Sequence, residues 1–145
     1  MAARHIIFLY GTLKSGHSNF RVLSDPKTGF AKFLGFGQTV KRYPLVVTAQ
    51  YSFPFLLPVE GQGEHVEGEV YEVSESKLMR LDEFEGHPDF YLREKVPVAL
   101  TKCKNHCLVH LPETIDCWVY FLSQFEPMMV ELPYLKNYAF PREIK

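Results

Sequence analysis

Two places in this sequence bring together residue types that can do chemistry: Glu85, and the turn from Tyr10 to Gly16. Glu85 ends the segment Leu81-Asp82-Glu83-Phe84-Glu85, just before Gly86. Leu78, Leu81 and Glu85 stand at i, i+3 and i+7, so a carboxylate falls on the stripe that a helix turns toward its core. Burial among apolar and aromatic groups disfavours the charged form and moves a carboxyl toward the pKa that a general base needs near neutral pH. Pattern alone favours a plainer reading, a solvated glutamate on a fraying last turn. Asp82 shares the same face and competes for the role. The two carboxylates could raise each other, or Asp82 could instead cap a backbone group.

Tyr10-Gly11-Thr12-Leu13-Lys14-Ser15-Gly16 directly follows the apolar run His5-Ile6-Ile7-Phe8-Leu9. A strand that ends in a glycine-punctuated turn exposes successive backbone N–H groups, and such a concavity can cradle a carboxylate without an arginine. The turn lacks the Gly-Lys-Ser/Thr ending of a nucleotide phosphate loop. By itself the turn reads first as an ordinary strand-to-loop transition, because glycine-containing turns are common. Tyr91 and Arg93 share one face of a strand that follows Glu85 closely, where both could line a pocket and Tyr91 is expected as its wall. In Glu67-Gly68-Glu69-Val70-Tyr71-Glu72-Val73 the missing side chain at Gly68 would permit close backbone or ligand approach, with a bulge the simpler account.

Cys103-Lys104-Asn105-His106-Cys107-Leu108-Val109-His110 gathers four soft or borderline ligands in eight residues, yet lacks the paired spacing of structural zinc modules. No metal is expected there, and nothing marks a cysteine as a nucleophile. With Cys117 the cysteines number three, which suits reduced thiols better than a disulfide framework.

The elements that must position these residues are mostly strands: Arg4–Tyr10, Ala31–Val40, Pro44–Thr48, Phe53–Pro58, Glu67–Val73, Tyr91–Leu100 and Thr114–Phe121. The main helix starts with Ser74 as N-cap and Glu75 in its first turn, runs to about Glu85 and stops at Gly86, with Lys77, Arg80 and Glu83 toward solvent. A shorter helix is expected over Asn19 to Leu23. Lys102 to Glu113 reads as a long hairpin loop, and prolines 127, 133 and 141 predict an extended tail from about residue 123. These elements suggest a mostly β architecture whose strands close into a small barrel, in a single domain over residues 1–145.

At 145 residues, with 46% hydrophobic and 14% aromatic content, the chain can bury a substantial core. The net charge of −1 gives no basic face for nucleic acid, and no apolar run is long enough to span a membrane as a helix. The N-terminus does not read as a signal peptide, so a cytosolic (cytoplasmic) protein is expected.

Taken together, the Tyr10 to Gly16 turn, Tyr43-Pro44-Leu45-Val46, Pro54-Phe55-Leu56-Leu57, Val66-Glu67-Gly68-Glu69-Val70-Tyr71, Leu81-Asp82-Glu83-Phe84-Glu85 and Tyr91 resemble the γ-glutamyl cyclotransferase-like superfamily. The order and spacing match over positions 5 to about 122, most closely those of the branch acting on γ-glutamyl-ε-lysine left by breakdown of transglutaminase cross-links. The resemblance implies an α+β fold, a small mixed β-barrel with a few helices packed on it, with a substrate pocket at its mouth and no metal or organic cofactor. It implies that backbone groups of Tyr10, Gly11, Thr12 and Leu13 hold the glutamyl α-carboxylate, with Tyr91 in the wall, and that Glu85 is the catalytic acid/base.

The reaction so implied is intramolecular. The α-amine attacks its own γ-carbonyl, closing 5-oxoproline and expelling the amine, on a small-molecule substrate and in a monomer. Departures around Phe53-Pro54-Phe55 and across the Cys103 to Glu113 loop bear on leaving-group preference. Cyclisation of γ-glutamyl-α-amino acids or glutathione, and a non-catalytic module that binds a small carboxylate, stay open as alternatives.

Overall fold

In the computed structural model, which describes residues 4–48, 53–103 and 113–138, apolar runs punctuated by glycine and proline fold into short strands around two cores. In chain order the elements are β1 (Arg4–Leu9), α1 (Phe20–Ser24), β2 (Ala31–Thr39), β3 (Leu45–Val46), β4 (Phe55–Leu56), β5 (Glu67–Ser74), α2 (Glu75–Glu85), β6 (Tyr91–Cys103) and β7 (Glu113–Leu122). Five of the strands close a barrel in the order β1-β5-β2-β6-β7. Neighbours run antiparallel except β1 and β7, which pair in parallel through Ile7 and Trp118 and so close a mixed barrel.

Strand alternation sends successive residues of β1 to different cores. Ile7 and Leu9 pack in a cluster with Leu78 and Leu81 of α2, whereas Phe8 and Tyr10 pack with Val70, Val98, Val119 and Phe121. With both faces covered, the strand reads as a continuous apolar run rather than an alternating one. Gly68 on β5 permits the close approach of β1: a Cβ there would lie 2.2 Å from the Leu9 carbonyl oxygen. Gly68 pairs in register with Gly37, and the irregularities of this strand pair lie on β2 at Phe33/Gly35, so close approach rather than a bulge explains this glycine.

The two shortest strands lie outside the barrel. β3 and β4 pair only with each other, Leu45 opposite Leu56 and Val46 opposite Phe55. Pro44, Pro54 and Pro58 bracket them, and a residue without an N–H cannot extend a ladder.

Helix α2 follows its expected bounds. The Ser74 hydroxyl accepts from the Lys77 N–H, and Gly86, left-handed at φ 69°, ends the helix by donating its N–H to the carbonyls of Asp82 and Glu83. One expectation on this helix fails. Lys77 is fully buried, and its ammonium donates to the carbonyls of Val22 (3.2 Å) and Asp25 (2.8 Å) and to Thr28 Oγ1 (2.7 Å). Those acceptors come from the end of α1 and the turn after it, which need a donor that helical periodicity cannot reveal. Burial lowers the Lys77 pKa.

The tail departs from a purely extended course, because Pro127–Glu131 forms a 3₁₀ helix with proline at its start, where the missing N–H costs nothing. The chain then returns along the barrel. Leu135 donates to the Leu45 carbonyl at 2.8 Å, Glu67 donates to the Lys136 carbonyl at 2.7 Å, and Tyr138 is buried. The 104–112 part of the expected hairpin loop, with Cys107, His106 and His110, lies outside the described residues, as does Pro141.

Candidate active site

A cavity of about 170 Å³ opens where the end of β1, the last turn of α2 and the start of β6 meet. It is lined by Tyr10, Gly11, Thr12 and Leu13 of the first turn, Glu85 and Phe84 of α2, Tyr91 of β6, and Tyr120, Asn19, Phe53 and Pro54. Of the residues singled out from sequence, Tyr10 to Leu13, Glu85 and Tyr91 therefore border one space. That space is smaller than the roughly 300–1,000 Å³ of pockets for drug-sized ligands, so it suits an amino-acid-sized group.

The geometry of the turn follows from its internal bonds. Lys14 donates its N–H to the Gly11 carbonyl at 3.1 Å, Asn19 donates its N–H to the Thr12 carbonyl at 2.9 Å, and the Asn19 amide donates to Thr12 Oγ1 at 2.9 Å. These bonds use the carbonyls. Among the described residues no acceptor serves the N–H groups of Gly11, Thr12 and Leu13. These three successive residues border the cavity, and amides that meet no acceptor among the described residues can present a concavity of positive partial charge.

The same cavity is bordered by Glu85. It lies on the last turn of α2, only partly exposed, with Leu81 one turn earlier buried in the core. Burial pushes its carboxyl up to about 8. The reason no hydrogen bond counteracts this is visible in the neighbouring tyrosines, which spend their protons elsewhere. Tyr10 donates to the Tyr120 carbonyl at 2.5 Å, Tyr91 to the Pro54 carbonyl at 3.1 Å, and Tyr120 to Asp82 Oδ1 at 2.7 Å. Among the described residues, Glu85 has neither a hydrogen-bond donor nor a counter-ion. Burial raises Tyr10, Tyr91 and Tyr120, helped at Tyr120 by its hydrogen bond to Asp82, at Tyr91 by the nearby Glu85 and at Tyr10 by Tyr91 and Glu85, so all three stay protonated near neutral pH.

Asp82 behaves in the opposite way and does not border the cavity. Burial pulls its carboxyl up, but hydrogen bonds from Arg93 and Tyr120 and the charges of Arg93 and His87 outweigh that and hold it below the usual range. Arg93 grips it with Nε on Oδ1 at 2.7 Å and Nη2 on Oδ2 at 3.0 Å, while its guanidinium stacks over Trp118 at 4.3 Å. Two sequence expectations are corrected here. Asp82 neither raises Glu85 nor caps a backbone group with its side chain, and Arg93 serves the Asp82 pair rather than the pocket wall. The two carboxylates thus sit one turn apart with their pKa values driven in opposite directions, and one titratable carboxyl is left facing the cavity.

Tyr120, Asn19, Phe53 and Pro54 were not anticipated as lining residues. For Tyr120 a signal exists, since strand pairing sets it opposite Arg93 and two residues from the partner of Tyr91. Among the described residues no group of three or more His, Cys, Asp or Glu is placed to hold a metal ion. Cys117 is a free, buried thiol that burial pushes up to about 12, unsuited to nucleophilic attack.

The family model for γ-glutamyl cyclotransferase, AIG2-like, matches residues 7–139. The chain belongs to that family. A putative γ-glutamylcyclotransferase of Drosophila melanogaster is 44% identical over 95% of this chain and 81% of its own length. The γ-glutamylaminecyclotransferase of Bos taurus is 43% identical over 91% of this chain and 74% of its own length. Among solved structures, an AIG2-like protein of Mus musculus superposes with a TM-score of 0.85 at 37% identity, covering 94% of this chain and 88% of that one. The family resemblance read from the motifs holds, as does the small mixed barrel with packed helices, and this member of the family is an enzyme of the cyclotransferase type. No helix among the described residues is long and apolar enough to cross a membrane.

Proposed function

We propose that this protein is a γ-glutamylamine cyclotransferase that converts γ-glutamyl-ε-lysine to 5-oxoproline and free lysine. The observation that carries the reading is that one small cavity is bordered both by a carboxyl at about 8 and by three residues whose amides, like that carboxyl, have no partner among the described residues. The Gly11, Thr12 and Leu13 amides, with Tyr10 beside them, hold the α-carboxylate of the glutamyl group, and Tyr91 walls the glutamyl chain. Glu85 serves as base and then as acid.

The steps balance without water or cofactor. Glu85 takes a proton from the α-ammonium, and the freed amine attacks the γ-carbonyl to form the lactam C–N bond. As the tetrahedral intermediate collapses, Glu85 returns its proton to the leaving nitrogen and the bond to that amine breaks, while the second proton of the attacking nitrogen passes through the freed Glu85 carboxylate to the departed amine, which leaves as an ammonium. An alkyl amine of ordinary pKa about 10.4 leaves readily only when protonated, and a carboxyl near 8 can still supply that proton at neutral pH. Fixing both ends of the glutamyl chain in the cyclising conformer contributes up to the ~7–11 kcal/mol seen for well-oriented intramolecular reactions.

A cavity of about 170 Å³ accommodates the glutamyl head and leaves the lysine moiety toward the mouth. The same reading makes the protein a cytosolic monomer acting in isopeptide cross-link degradation, with no nucleic-acid or membrane partner. The assay incubates γ-glutamyl-ε-lysine, a γ-glutamyl-α-amino acid and glutathione separately with the protein. Equimolar 5-oxoproline and lysine, formed fastest from the ε-lysine compound, is the expected result, and binding without product would overturn it.

A further inference from the structure

The Tyr10 to Gly16 turn has two sides. Residues 10–13 line the cavity with Glu85, while Lys14 and His17 line a second, polar cavity together with Glu69. Glu69 is 6% exposed and stands on β5 directly opposite Leu9, the last residue of β1, where the chain leaves the barrel to enter the turn. Its Oε1 accepts the Ser15 N–H at 2.9 Å and the Tyr71 hydroxyl at 2.9 Å, and its Oε2 accepts the Ser15 hydroxyl at 3.0 Å.

Lys14, 5% exposed, donates to Asn137 Oδ1 and to the Tyr138 carbonyl, both at 2.8 Å. That returning segment is itself tied to the barrel by the Lys136 carbonyl, which accepts from Glu67, two residues from Glu69 on the same strand. The two residues following the unengaged amides are therefore bonded to rigid structure on both sides. Neither tie touches the substrate cavity.

We propose that Glu69 is a positioning residue that acts through Ser15, and that with Lys14 and the returning tail it holds the turn in its carboxylate-receiving conformation. This rests on the reading that the turn binds the α-carboxylate. The physical ground is preorganisation. Donors fixed before binding are effective because no ordering cost falls on the substrate. A turn released at Ser15 samples other backbone conformations and must be ordered at each encounter. A buried carboxylate that accepts three hydrogen bonds from a strand and a loop joins the two far more firmly than the short side-chain contacts usual at a loop base.

The test measures how strongly the enzyme prefers a substrate with an α-carboxylate over one without it. The probes are a γ-glutamyl alkylamide and the matching 4-aminobutanoyl alkylamide, which closes to 2-pyrrolidinone; the readout is the ratio of their kcat/KM values. Wild type is expected to favour the first by 100-fold or more. Glu69→Ala is expected to lower that ratio at least ten-fold, mainly through KM, and Glu69→Gln, which still accepts from the Ser15 N–H, to recover most of it.

Should Glu69→Ala fail to fold, Ser15→Ala and Lys14→Met each remove one tie from the loop side, and a ratio lowered about three-fold is expected from each. A lower melting temperature with the ratio unchanged would show Glu69 to be a structural residue only and overturn the proposal. A wild-type enzyme that makes lactam from both probes at equal rates would instead overturn the carboxylate reading of the turn, with the positioning role falling alongside it.

Discussion

Replacing Glu85 with glutamine separates the energetic cost of its environment from its chemistry. The wild-type carboxyl has an ordinary value of 4.5 and is raised to about 8 in the folded protein. Between those values the folded state binds more protons than the unfolded one, so stability falls as pH rises through that window and levels off above it. At about 1.36 kcal/mol per pH unit the full difference corresponds to about 5 kcal/mol, and solvent at the cavity mouth reduces it to roughly 2–5 kcal/mol. Glutamine has the same shape and does not ionise. Glu85→Gln should therefore come within about 1 kcal/mol of wild type at pH 5 and exceed it at pH 9 by that full amount.

Urea denaturation followed by the fluorescence of Trp118, the single tryptophan, gives both stabilities at each pH. All other titrating groups are shared, so the difference between the two curves isolates Glu85. The same variant should lose about 10²–10⁴-fold in kcat, the usual worth of a general acid–base group. Stability differences that do not change between pH 5 and pH 9 would refute the claim that burial leaves this carboxyl without compensation.

Other consequences follow from the same geometry. The acidic limb of kcat/KM should lie near pH 8, and that of kcat lower, because a substrate ammonium beside Glu85 favours the carboxylate by up to about 4 kcal/mol at 4 Å and an effective dielectric of 20. Initial-rate profiles from pH 5 to 10 check this, and coincident limbs would contradict it. Asp82→Ala leaves the Arg93 guanidinium and the Tyr120 hydroxyl without their acceptor and should cost about 2–4 kcal/mol in urea denaturation, with the kcat/KM limb still near 8. Lys77→Met strips the donor from three acceptors near α1 and should lower stability by about 1–3 kcal/mol while leaving the pH profile in place.

Glu85 was legible because everything that places it is local: the i, i+3, i+7 spacing from Leu78, the Ser74 cap and the Gly86 stop all lie on one helix. The five barrel strands were legible for the same reason, being runs bounded by turn residues. What escaped depends on partners distant in the chain. Lys77 stands at the edge of the apolar stripe, one turn before Leu81, and its residue type argues for solvent, yet carbonyls some fifty residues earlier draw it inward. Asp82 and Glu85 look interchangeable from spacing, and only Arg93 and Tyr120, brought in by β6 and β7, divide them into a paired anion and an unpaired acid. The free amides of the turn were foreseen as a possibility of the glycine pattern, whereas the anchoring of Ser15 by Glu69 needed β5 laid beside β1. β3 and β4 stood apart from the barrel because proline-limited strands of two residues offer too short a ladder to join it.

The most direct test of the central claim follows oxygen. Turnover of γ-glutamyl-ε-lysine in ¹⁸O-labelled water distinguishes attack by the α-amine from attack by solvent, with products resolved by mass spectrometry. Closure of the lactam by the substrate's own amine, with Glu85 moving the proton, predicts 5-oxoproline without label and one free lysine for each. Glutamate carrying ¹⁸O in its side-chain carboxyl would contradict it.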